Sequence, residues 1–250
     1  MPSRAIFVAP FDELADPRVL TGLAARAEER GWDGFFLWDH IVYSPPTRAL
    51  LDPWVVLGAI ATATERLRLG PMVTPLSRRR IHKLARETLT LDHLSGGRLT
   101  FGVGLGSDIH GELAPFGEVH DPREQARLLD AGLEQLQDYW AGEFEPRPLQ
   151  RPRIPIWAAA RWPNRRPLRR AARLDGLFPV EVPEPDALRE TIEATLEQRP
   201  ADAGPFDIAV MVAPGGDPAP WEAAGATWTL TGFGASPALA EVRAVIDAGP

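Results

Sequence analysis

A chain of 250 residues, 44% hydrophobic and 24% charged, carries enough apolar material for a sizeable core, which excludes disordered and collagen-like classes. A formal charge of -7 argues against a general nucleic-acid binder, no apolar run approaches a membrane span, and the apolar part of "MPSRAIFVAPF" is too short for a signal peptide, so the expected location is the cytoplasm. Without cysteine there are no disulfides, thiolate nucleophiles or Cys-ligated zinc, and chemistry falls to His, carboxylates, Arg or a bound cofactor.

Along the chain, β-rich runs alternate with helical patterns: 4–9, 34–38, 67–73, 99–103, 154–159, 176–180, 206–212 and 227–232 read as strands. Helix starts are signalled by Asp followed by Pro at Asp16-Pro17, Asp52-Pro53, Asp121-Pro122 and Asp217-Pro218, and more weakly by Ser236-Pro237. Asp caps free amides, and Pro suits the first helical position because its missing N–H needs no partner there. Asp121 with Glu124 has the pattern of a capping box. Apolar stripes at helical spacing follow, such as Leu20, Leu23, Ala24, Ala27 and Leu129, Leu133, Leu136, Trp140. Strand and helix in alternation mean a parallel sheet, because parallel neighbours need crossovers. Eight such units in about 250 residues predict a single-domain α/β (β/α)8 TIM-like barrel over 1–250. A doubly wound open sheet is the rival, but "FVAPFDELADP" lacks its Gly-rich turn. The Pro/Arg stretch 145–155 reads as a long loop joining the two halves of the barrel.

In such a barrel the site lies where the strands end. Asp39 and His40 follow the second strand, and His is the side chain best suited to share a proton near neutrality. The competing reading is that Asp39 caps the strand exit while His40 packs against Trp38 or Tyr43. "GLGSDIH" follows the fourth strand, and Gly102, Gly104 and Gly106 there would let a flat ligand approach the backbone. After the fifth, "AAARWPNRRP" combines small residues, a helix start near Pro163 and Asn164, and Arg161, Arg165 and Arg166, a pattern suited to a phosphate. The competing reading for it, and for "SRRR" at 77–80, is a solvated basic face. His82 and His93 share one face of an outer helix, a poor place for a metal, and no metal site is expected. Trp38, Trp157 and Trp162 are placed near the mouth.

Residues 66–106, "RLRLGPMVTPLSRRRIHKLARETLTLDHLSGGRLTFGVGLG", resemble the third-to-fourth-strand segment of the bacterial luciferase-like flavin-dependent oxidoreductases. "WDH" after the second strand, 116–142, "IPIWAAA" and "AARLDGLFP" resemble that superfamily in order and spacing, and 181–250 match in architecture only. The resemblance implies a TIM-like barrel holding reduced FMN or coenzyme F-420 at its mouth, acting as a monooxygenase or by hydride transfer on a small-molecule substrate. It places His40 by the reactive face of the ring, with Asp39 orienting it. A non-prolyl cis peptide is implied at Met72-Val73, with cofactor contacts from Met72, Val73, Thr74, Gly104, Gly106, Ala159, Ala160, Arg161 and Asn164. A separate flavin or F-420 reductase and a homodimer are the implied partners. Ser107 and Asp108 depart from the family where many members carry an aromatic or Asn-containing loop, and the chain is short for a member. Two alternatives stand beside this: a flavin-binding degenerate barrel without turnover, and a sugar-phosphate lyase or isomerase using His40 and Glu181.

Overall fold

Aspartates one residue ahead of a proline start the helices of the computed structural model, which describes residues 2–250. Asp16 caps α1 (Pro17–Glu29), Asp52 caps α2 (Pro53–Ala63) and Asp121 caps α4 (Pro122–Asp138), each accepting one or more backbone N–H groups of the first turn. Between them, α3 (Ile81–Leu94) starts without a side-chain cap. Glu124 turns to Arg127 instead of back to Asp121, so only half of the expected capping box forms. After the single turn α5 (Leu168–Ala171) and α6 (Pro185–Leu196), Asp217 accepts from the Ala219 N–H at the start of the short α7 (Ala219–Ala223). The last helix, α8 (Leu239–Ala248), is capped from elsewhere: Glu13 accepts the Leu239 N–H at 2.8 Å, whereas Ser236 faces Thr47.

The strands are all parallel: β1 (Ser3–Val8), β2 (Gly34–Leu37), β3 (Arg68–Pro71), β4 (Thr74–Pro75), β5 (Phe101–Gly104), β6 (Ile156–Arg161), β7 (Gly176–Val180), β8 (Asp207–Val212) and β9 (Trp228–Gly232). Their order is β3-β2-β1-β9-β8-β7-β6-β5-β4. The two ends of that order, β3 and β4, are consecutive in the chain and separated only by Met72 and Val73. They are the lower and upper halves of one stave, and the sheet closes on it as a TIM-like barrel. The expected strand 67–73 therefore appears as two pieces, the lower paired with β2 and the upper with β5. β5 pairs with β6 across the irregular stretch 145–155.

Strand alternation divides the apolar residues into two layers. Ile6, Val8, Phe35, Leu37, Phe101 and Ile156 point outward and pack with the helices' apolar stripes. Ala5, Phe7, Phe36, Met72, Trp157, Phe178, Ala209, Trp228 and Leu230 fill the barrel. Large rings beside alanines and glycines make this interior a packed core with its chemistry confined to the upper rim. Trp157 belongs to the lower part, against Phe36 and Trp228, with its indole N–H on Asp207 at the start of β8. The placement of Trp157 at the mouth is thus corrected. No helix among the described residues is long and apolar enough to cross a membrane.

Candidate active site

Successive residues leave an extended strand on opposite sides, and this separates Asp39 from His40 just above β2. Asp39 turns outward, is 3% exposed, and accepts from Thr74 (2.7 Å), Trp54 (3.2 Å), Arg78 (2.8 Å) and Arg79 (2.9 and 3.0 Å). Arg78 also donates to the Asp39 carbonyl at 2.9 Å, so the strand exit is clamped through both main chain and side chain. The orientation of His40 by Asp39 is therefore not made, because that carboxylate is taken up by Thr74, Trp54, Arg78 and Arg79.

Glu112 takes that place. Its Oε1 lies 3.0 Å from His40 Nδ1, and its Oε2 accepts from Arg78 Nη1 at 2.6 Å and from the Ile41 N–H at 3.4 Å. Burial pushes the Glu112 carboxyl upward, but the hydrogen bond and charge of His40, together with Arg78, outweigh it and hold the group below the usual glutamate range. An ionised carboxylate only accepts, so whenever the His40 ring carries a single proton that proton sits on Nδ1 and the Nε2 lone pair is free.

Around His40 lie Phe11, Trp38, Tyr43 and His110, with ring centroids between 5.2 and 6.0 Å away. His110 stacks on Tyr43 at 3.8 Å, and its Nδ1 lies 2.8 Å from Ser44 Oγ. Burial, with the charge of His40 adding to it and Glu112 opposing, lowers the His110 pKa. Trp38 Nε1 is buried with no hydrogen-bond partner among the described residues. Of the three tryptophans placed at the mouth, Trp38 alone stands beside His40, for Trp162 is exposed in the turn after β6.

The Met72–Val73 peptide is cis, as the resemblance implied. Met72 is buried in the barrel core and Val73 packs at its edge. Thr74, fully buried, directs its hydroxyl to Asp39. The glycines after β5 serve the neighbouring stave: a Cβ on Gly104 would lie 2.6 Å from Val73 Cγ2, and one on Gly106 2.9 Å from Pro75 Cβ. Their smallness makes room for the bulge. Gly104→Ala is expected to destabilise the protein by about 1–3 kcal/mol through overpacking, measurable as a lower denaturant midpoint.

The fifth turn differs from expectation. Ala159 faces the barrel interior, while Ala160 is buried in the outer layer. Arg161 pairs with Glu181 at 3.2 Å on the surface. Asn164 donates its N–H to the Arg161 carbonyl inside a turn, and the helix that follows is one turn beginning only at Leu168. Trp162-Pro163 and Pro167 hold this segment out of helical geometry, so no helix N-terminus stands at Pro163 and Asn164. A cavity of about 90 Å³ beside it is lined by Ala160, Asn164 and Arg165, with Glu190 opposite. His82 is exposed, and His93 Nε2 is 2.7 Å from the Arg147 carbonyl, away from the site.

Reading by strand ends missed Glu112, Arg78, Arg79, His110 and Tyr43 as parts of one site. "SRRR" is no uniform solvated face: Arg78 and Arg79 turn inward to the two carboxylates. Asp108, flagged as a departure, folds the loop that delivers Glu112 by accepting the Leu113 and Ala114 N–H groups. An acidic residue eight positions beyond Gly104, facing adjacent arginines just after another strand, was the available signal.

Comparison with known proteins bears on this arrangement. Residues 6–224 match the family model described as luciferase-like monooxygenase. Uncharacterized protein Rv0953c of Mycobacterium tuberculosis (strain ATCC 25618 / H37Rv) is 34% identical over 204 residues, covering 73% of this chain and 70% of that protein. An F420-dependent glucose-6-phosphate dehydrogenase of Beutenbergia cavernae is 35% identical over 132 residues, 51% of this chain but 38% of that enzyme. The solved F420-dependent secondary alcohol dehydrogenase, in complex with an F420-acetone adduct, superposes with a TM-score of 0.81 at 16% identity over 98% of this chain and 96% of its own, a likeness of fold. Since the family model spans most of the chain and reaches from β1 through the helix before β9, this protein belongs to the luciferase-like monooxygenase family.

Proposed function

We propose that this chain is an oxidoreductase that transfers a hydride between coenzyme F-420 and a carbinol or carbonyl carbon of a small organic substrate. The observation that carries the reading is the chain His40–Glu112–Arg78, which presents a free imidazole nitrogen at the mouth of a closed barrel. The relative with which it shares 35% identity over 132 residues is F420-dependent, which supports the choice of cofactor.

The rim suits a flat, hydrogen-bonding ring. The buried indole N–H of Trp38 lacks a partner, and Val73 and Ala159 offer a small apolar floor beside it. The deazaflavin ring, when bound, supplies the hydride acceptor. With that acceptor bound and taking the substrate's hydride, His40 Nε2 would accept the O–H proton as the carbinol becomes a carbonyl. His40 is then the catalytic residue, and its ring becomes a cation next to Glu112, whose negative charge stabilises it. Glu112 is a positioning residue, kept ionised by Arg78 and turned toward the ring by the same bond. Asp39 anchors Arg78 and Arg79 from the other side.

The family's description favours a second reading, a monooxygenase using reduced FMN in the same mouth. Titrations with FMN and with F-420, oxidised and reduced, followed by tryptophan quenching, separate the two. Micromolar binding of F-420, at least about tenfold tighter than FMN, is the expected result. His40→Asn is expected to keep that binding while lowering kcat by about 100- to 10,000-fold, the usual range for loss of a general base. Failure of well-folded protein to bind either cofactor overturns both readings.

A further inference from the structure

Two loops that are distant in sequence meet above His40. The segment after β2 brings Tyr43 and Ser44, and the segment after β5 brings His110. Ring stacking at 3.8 Å and the Nδ1 contact with Ser44 Oγ at 2.8 Å fix His110 on both a face and an edge. Its Nε2 and the Tyr43 hydroxyl make no hydrogen bond among the described residues. The ring stands edge-on to His40, with centroids 5.9 Å apart. Beside the proton-handling nitrogen, a substrate is thus offered the His110 Nε2, held in place on a face and an edge, and the Tyr43 hydroxyl, in a wall otherwise built from Phe11 and Trp38.

Charge is balanced here. Arg78 pairs with both Asp39 and Glu112, and Arg79 pairs with Asp39. None of the side chains touching the two histidine rings is a lysine, and Arg78 reaches the site already paired with both carboxylates. A phosphorylated substrate would meet, beside His40, an Arg78 already paired with both carboxylates and would have to shed its water against aromatic rings, an unfavourable exchange.

We propose that His110, held by Tyr43 and Ser44, is the specificity-determining residue of this site, its Nε2 hydrogen-bonding the oxygen of an uncharged alcohol or carbonyl substrate with an apolar or aromatic body. This rests on the reading of His40 as the proton acceptor. A fixed imidazole serves either partner, since its Nε2–H donates to a carbonyl oxygen and equally to a lone pair of a hydroxyl, whose own proton stays directed at His40. The Tyr43–His110 stack packs the apolar body, and its lack of charge selects against sugar phosphates.

The test uses wild type, His110→Ala, His110→Gln and Tyr43→Leu, each first titrated with F-420 by tryptophan quenching. Cyclohexanol and 1-phenylethanol are the alcohol probes, glucose 6-phosphate the charged one, and cyclohexanone and acetophenone the carbonyl ligands. Expected are a kcat/KM for the alcohols at least tenfold above that for glucose 6-phosphate, and a KM raised about tenfold in His110→Ala with kcat within about threefold. Tenfold corresponds to ~1.4 kcal/mol, the size of one neutral hydrogen bond. Gln, whose amide reaches where Nε2 lies, is expected to restore most of the KM, and Tyr43→Leu to weaken the aromatic ligand more than the aliphatic one. Unchanged KM in His110→Ala, or preference for glucose 6-phosphate, overturns the proposal. Acetophenone is also titrated into cofactor-free protein, following the His110 ring proton by NMR. If F-420 fails to bind, the functional reading falls, and this titration still decides: a shift abolished by His110→Ala upholds the contact, and no shift removes it.

Discussion

Asp39→Asn is expected to lower the unfolding free energy by about 3–5 kcal/mol, the usual consequence of removing one partner from a buried ion pair. Arg78 is 3% exposed and its Nε has no hydrogen-bond partner among the described residues, so its guanidinium has little water to exchange for the lost carboxylate, whereas Arg79, 19% exposed, keeps some access to solvent. Asn keeps the shape but loses the charge and one acceptor, leaving Thr74, Trp54 and two arginines to compete for a single carbonyl oxygen. The exposed pair Lys83–Glu87 supplies the contrast, since Lys83→Met should cost no more than about 0.5 kcal/mol. Urea denaturation at neutral pH measures both. A loss below about 1 kcal/mol for Asp39→Asn would show that the cluster is not the anchor of the rim.

Glu112→Gln is expected to act on catalysis, with the fold largely retained because Arg78 keeps Asp39. An amide can offer its NH2 to His40 Nδ1, which moves the ring proton to Nε2 and removes the lone pair that accepts the substrate's proton. A wrong-tautomer ring of this kind costs about 100- to 10,000-fold in kcat. Cofactor and substrate affinities should stay within about threefold. A structural role alone would move stability and leave the pH–rate profile in place, so the profile is the deciding readout, and an unshifted one sinks the assignment. The stability effect has a definite sign. Because the native Glu112 pKa is depressed, its ionised form stabilises the fold fully above the usual glutamate range, and that contribution is lost as pH falls through the lower native value. Glu112→Gln should therefore be less stable than wild type at neutral pH and converge with it in acid, as thermal melts across that range will show.

Asp16, Asp52 and Asp121 announced their helices because a cap is a local device, complete within four residues. Ser236 failed the same test because Glu13, brought from 226 positions away, already held the amide. The third strand was legible, its division into two halves of one stave less so, since that break depends on Gly104 yielding space to Val73 across the sheet. The fifth turn misled through composition: clustered arginines and a proline suggested a helix start, whereas backbone restriction by Pro163 and Pro167 delayed the helix to Leu168.

The sequence by itself determined the barrel and the position of His40 on its rim, because strand and helix periods and capping residues are read from neighbours in the chain, while the family came from the resemblance carried by the motif at 66–106. Only the tertiary structure decided who serves His40. Glu112 lies 72 positions from His40 and 34 from Arg78, and these distances vanish only when the sheet closes. Asp39, adjacent to His40 in sequence, is turned away from it by the alternation of an extended strand, so the nearest carboxylate along the chain is the wrong one in space.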